Sequence, residues 1–102
     1  MTYIKIGEIT YPAEITGKIS DREWAGRESK AVTLEMTYEQ AMETFVDGLA
    51  WSIVYEEGEI REVYDNSEFE VAGPVTDNRD GTVTVKMGKP TADELLAIMM
   101  GG

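Results

Sequence analysis

The chain has no histidine and no cysteine in its 102 residues. That removes the usual neutral-pH general base, the thiol nucleophile, the soft metal ligands and any disulfide. Proline is scarce, with three residues, and no apolar run approaches the ~20 residues that a membrane-spanning helix needs. The N-terminal residues Met1-Thr2-Tyr3-Ile4-Lys5 enter an alternating pattern at once and lack the apolar core of a secretion signal. The expected setting is therefore the cytosol, and neither a cofactor nor a resident metal is expected.

What is present is acid. The net charge of −11 lies wholly in residues 31–102, whereas residues 1–30 carry five basic and five acidic side chains. Such a surface repels phosphate backbones and anionic lipid, so nucleic acid and membranes are not expected partners. Apolar residues make up 42% of the chain, enough to build a core in one domain spanning 1–102.

Periodicity orders the elements. Tyr3-Ile4-Lys5-Ile6 and Ile9-Thr10-Tyr11 alternate around Gly7-Glu8, which predicts a hairpin with Ile6 opposite Ile9 and Ile4 opposite Tyr11. The alternation continues through Ala13, Ile15, Gly17 and Ile19. A charged loop over 20–30 precedes a third strand with Val32, Leu34 and Met36 inward. Thr37 and Gln40 form a capping-box pattern ahead of Tyr38, Ala41, Met42, Phe45, Val46 and Leu49, a helical face that Gly48 is placed to end.

Ala50–Tyr55 reads as a buried strand, and 56–66 as an acidic loop. A last hairpin pairs Phe69, Val71, Gly73 and Val75 with Val83, Val85 and Met87, and Gly73-Pro74 marks a bulge or an edge. Thr91 and Glu94 cap a C-terminal helix over 91–100. The order β-β-β-α-β-β-β-α is an α+β fold with a mostly antiparallel, curled sheet of about six strands. One helix is expected on that sheet, with an apolar helix at the C-terminus.

Candidate sites are few. The acids of 56–70 lack the ligand spacing of a calcium loop, and Asp77-Asn78-Arg79-Asp80-Gly81 places an arginine between its acids. Carboxylate pairs suited to glycoside hydrolysis have no aromatic platform beside them. No catalytic, cofactor or metal residue is therefore assigned, and the chain is not expected to be an enzyme. Arg22 and Arg27 flank Trp24, a composition common at interface hot spots, although Trp24 folded under to plug one end of the sheet is the favoured reading.

The C-terminal helix carries Leu95, Leu96, Ile98, Met99 and Met100 and is apolar on nearly every side. Either the domain's own core or another chain must cover it. The candidate interaction residues are thus Arg22, Trp24, Arg27, Leu95, Ile98, Met99 and Met100, with self-association or a protein partner expected. The terminal Gly101-Gly102 is also the ending used by ubiquitin-like and sulfur-carrier proteins, but here it directly follows a capped helix.

Several runs together carry a resemblance. They are Ile4-Lys5-Ile6-Gly7, Tyr11-Pro12-Ala13, Arg27-Glu28-Ser29-Lys30, Phe45 through Val54, Tyr64-Asp65-Asn66-Ser67, Val71-Ala72-Gly73-Pro74 and Asp80 through Lys89. In these the chain resembles a family of small uncharacterised proteins from phages and prophages of Gram-positive gut bacteria. Members of that family can carry an insertion near 56–63. The resemblance implies a prophage origin and a role as a tail-associated or other virion structural or assembly protein. The alternative it implies is a small acidic regulatory protein that binds a basic host target.

Overall fold

The computed structural model describes residues 1–100. Its strands are β1 (Thr2–Ile6), β2 (Ile9–Asp21), β3 (Arg27–Glu35), β4 (Ser52–Glu57), β5 (Ile60–Asp65), β6 (Val71–Asp77) and β7 (Thr82–Gly88). The helices are α1 (Tyr38–Thr44) and α2 (Ala92–Met99), and a 3₁₀ turn spans Arg22–Trp24. The fold is α+β. All strand pairs are antiparallel, in the order β5-β4-β1-β2-β3-β7-β6.

That order explains why the sheet curls. β5 and β6 are consecutive in the chain yet lie at opposite edges. In a flat sheet six strand spacings would set those edges about 29 Å apart. The six peptide steps from Asp65 to Val71 reach at most about 21 Å. The sheet must bend until the crossing segment can span its concave face. That segment is pinned inside by Trp51, whose carbonyl accepts from the Asn66 N–H at 2.8 Å and whose indole N–H donates to the Phe69 carbonyl at 3.0 Å. Around it the concave face packs Ile4, Val32, Leu34, Ile53, Val83, Val85 and Met87, with Ala41 and Phe45 added from α1.

The first hairpin has the expected register, Ile6 with Ile9 and Ile4 with Tyr11, and Gly7 takes the positive φ (59°) of its turn. The expected interruption at Gly73-Pro74 is a register shift between Ala72 and Val75. Both capping boxes form, Thr37 with Gln40 and Thr91 with Glu94.

Three expectations need correction. The charged loop expected over 20–30 shrinks to 22–26, because β2 runs on to Asp21 and β3 begins at Arg27. Residues 56–66 are not a loop: β4 runs on to Glu57, Gly58-Glu59 turns the chain, and Ile60–Asp65 returns as a seventh strand. Gly58 supplies the turn's left-handed φ of 62°. The first helix also ends earlier than expected, at Thr44, with Phe45 as its cap. There the backbone turns extended and drops the Phe45 ring into the core. The residues that would have prolonged the helix bond to the neighbouring strand instead: Asp47 accepts from the Ala72 N–H, and Gly48 donates to the Glu70 carbonyl, both at 2.8 Å. Of the expected helical face, Ala41 and Phe45 are buried, while Tyr38, Met42 and Val46 face solvent.

Candidate functional site

A junction where charge, aromatic surface and apolar surface meet lies at the end of the sheet formed by β3 and β7. It begins with Asp21, the last residue of β2, which is fully buried. Its carboxylate caps the 3₁₀ turn by accepting from the Glu23 N–H at 3.1 Å. It also accepts from the Ser29 hydroxyl (3.1 Å) and the Lys86 ammonium (2.9 Å). The Lys86 hydrogen bond, aided by Ser29 and the Glu23 amide, holds the Asp21 carboxyl below its ordinary range despite burial. Ala25 and Gly26 then adopt left-handed φ values of 58° and 72°, and the Gly26 N–H closes on the Asp21 carbonyl. This reversal aims Trp24 and Arg27 at the same place.

Trp24 lies across a floor of two glycines. A Cβ on Gly73 would come within 2.5 Å of its ring, and one on Gly88 within 2.9 Å. Arg27 stacks over the indole at 4.6 Å and is itself buried. Its Nε donates to the Trp24 carbonyl and Nη1 to the Lys89 carbonyl, each at 3.2 Å. Its remaining reach is a two-pronged pair with Glu94 of α2, at 2.7 and 3.1 Å. Trp24, half-buried, and Arg27, buried, therefore help to seat α2, and Trp24 takes the folded-under place at the end of the sheet rather than a fully open contact surface. Arg22 stays exposed.

Glu94 serves both ends of this arrangement. It completes the capping box with Thr91 and takes the Arg27 fork, and the Arg27 hydrogen bond pulls its carboxyl from 4.5 down to about 2. Its folded pKa lies below its unfolded one, so the pairing is at full strength above pH 4.5 and disappears as pH falls toward 2. Asp21 is shifted in the same direction, so its contribution is present above its ordinary value of 3.8 and is lost as pH falls through its lower folded value. Carbon NMR titration of Glu94 should give a midpoint near 2, moving back toward 4.5 in Arg27→Gln. A wild-type midpoint at 4.5 would show that the pair does not form.

Beyond its capped first turn, α2 is bare. None of its residues is buried: Leu95 is 48% exposed, Ile98 67%, Met99 83% and Met100 78%. Of the two covers expected for this helix, the domain's own core is not the one used. Gly101 and Gly102, the basis of the carrier-protein reading, lie outside the described residues.

No family model, curated protein or solved structure matches this chain. Its chemistry must be read from its own side chains. Among the described residues no three histidines, cysteines or acids converge as a metal site, and no helix is long and apolar enough to cross a membrane. An open groove of about 990 Å³ is lined by Tyr11, Ala13, Ile15 and Leu34 with Glu14 and Glu35, far along the sheet from α2. Sequence reasoning missed Asp21, Ser29, Lys86 and Gly88. Only Asp21 had a local signal, as an acceptor placed two residues before the Glu23 amide it caps.

Proposed function

We propose that this protein is a non-enzymatic phage module, a virion- or tail-associated structural or assembly protein that works by protein–protein contact through α2. One observation carries the contact reading. A helix locked at its first turn by the Arg27–Glu94 fork holds Leu95, Leu96, Ile98, Met99 and Met100 out in water. A fixed base with an open apolar face lowers the ordering cost of binding, and the adaptable methionines suit an irregular partner surface. The phage assignment rests on the resemblance of the chain's sequence runs to phage proteins.

The test uses particles induced from a lysogen whose prophage encodes the chain. Mass spectrometry should find the wild type in purified particles at a fixed copy number. The double variant Ile98→Glu, Met99→Glu should be expressed at normal level but missing from them. Its stability should change by no more than about 0.5 kcal/mol, because neither side chain is packed against the domain. Absence of the wild type from particles, or equal incorporation of the variant, would defeat the reading.

A further inference from the structure

The two edges of the sheet are treated differently. β6 is closed off: Pro74 and a register shift interrupt it, Asp47 occupies the Ala72 N–H, and Gly48 occupies the Glu70 carbonyl. β5 has none of these devices. It is a six-residue strand with no proline, glycine or lysine, every residue is exposed, and among the described residues nothing pairs with its outer side.

The hairpin fixes which backbone groups face outward. Glu57 and Ile60 close a two-residue turn, so Ile60, Glu62 and Tyr64 direct their N–H and C=O groups at β4. The Asn66 N–H, bonded to the Trp51 carbonyl, continues the same phase. Arg61, Val63 and Asp65 therefore present theirs to solvent. From this we infer that β5 pairs with β5 of a second copy, antiparallel and about a two-fold axis through Val63.

Charge selects that register. With Val63 opposite Val63, each Arg61 faces Asp65 of the other copy, twice by symmetry, and each Glu62 faces a Tyr64. Sliding by two residues one way sets Glu62 against Glu62 and Glu59 against Asp65. Sliding the other way sets Val63 against Asp65 and breaks both ion pairs. The side chains are poised for it. Arg61 spends only its Nε on Glu56, at 3.3 Å, and the Ser67 amide and hydroxyl bonds to Asp65 both fall on Oδ1. Val63, 53% exposed, would gain an apolar neighbour across the axis.

This surface is separate from α2, so its test does not depend on the proposed function. Sedimentation equilibrium up to about 1 mM, where even a millimolar Kd leaves much of the protein paired, should show a dimer for the wild type and for Ile98→Glu, Met99→Glu. Arg61→Glu and Asp65→Arg each put like charges at both contacts and should raise Kd about tenfold or more. Mixed one to one, the two variants should form a heterodimer, because both contacts again join opposite charges. In the wild type, exchange of the Arg61, Val63 and Asp65 amides should slow as concentration rises, a readout that needs no variant. A wild-type monomer throughout, a dimer indifferent to both substitutions, or variants that do not complement each other would overturn the pairing.

Discussion

Trp51→Ala should remove a large fraction of the protein's stability, the heaviest loss expected of any single substitution in the core. The indole is 2% exposed and sits where the Asp65-to-Val71 crossing passes over the concave face. Removing it leaves a cavity expected to cost ~3–5 kcal/mol, against a total stability of ~5–15 kcal/mol for a domain of this size. It also orphans the Phe69 carbonyl, which accepts the indole N–H. Phe69 is itself a junction, with the Lys30 and Lys89 ammoniums 4.6 and 5.1 Å from its ring centre. Burial among these groups pushes the Lys30 ammonium's pKa down, while Glu28 pulls that of Lys89 up.

The damage therefore spreads along the crossing and releases the curl of the sheet. Urea denaturation followed by circular dichroism would measure the loss. Trp51→Phe, which keeps an aromatic ring but loses the donor and part of the indole's volume, should fall between wild type and alanine, about 1–3 kcal/mol down. A Trp51→Ala midpoint equal to wild type would mean that the crossing is not held from inside.

How much of this was legible in the sequence depends on how local the cause is. The Ile4–Tyr11 and Ile6–Ile9 pairs could be read because a two-residue period and Gly7 both act within ten residues. Thr37–Gln40 and Thr91–Glu94 could be read because each capping box spans a single turn. β5 could not. An edge strand exposed on both faces leaves no burial alternation, so Ile60-Arg61-Glu62-Val63-Tyr64 looks like acidic loop until β4 is laid beside it. The early end of α1 was hidden because the bonds that win there go to Glu70 and Ala72, more than twenty residues on. Arg27 and Glu94, 67 positions apart, share no local pattern at all. Their meeting is a product of the sheet order, which places β3 beside β7 and so brings the start of α2 over the Trp24 turn.

Gly88→Val should separate the seating of α2 from the stability of the rest. Gly88 ends β7, is buried, and pairs with Ser29 on one side and Val71 on the other. A Cβ there would come within 2.6 Å of the Arg27 side-chain stem and 2.9 Å of the Trp24 ring. Neither neighbour yields easily: Arg27 is tied to three groups, and Trp24 is wedged against Gly73 as well. The expected relief is expulsion of Trp24, loss of the cation–π stack and release of Glu94, at an overpacking cost of ~1–3 kcal/mol. Indole emission should shift red from Trp24 while Trp51 stays buried. Amide exchange should speed up in α2 and the Arg22–Trp24 turn but not in β1 or β4. Trp24→Ala in the same chain makes room for the valine, so the double variant should be more stable than the sum of the two single losses. Strictly additive losses would show that Trp24 does not rest on Gly88, and that α2 is held without the stack.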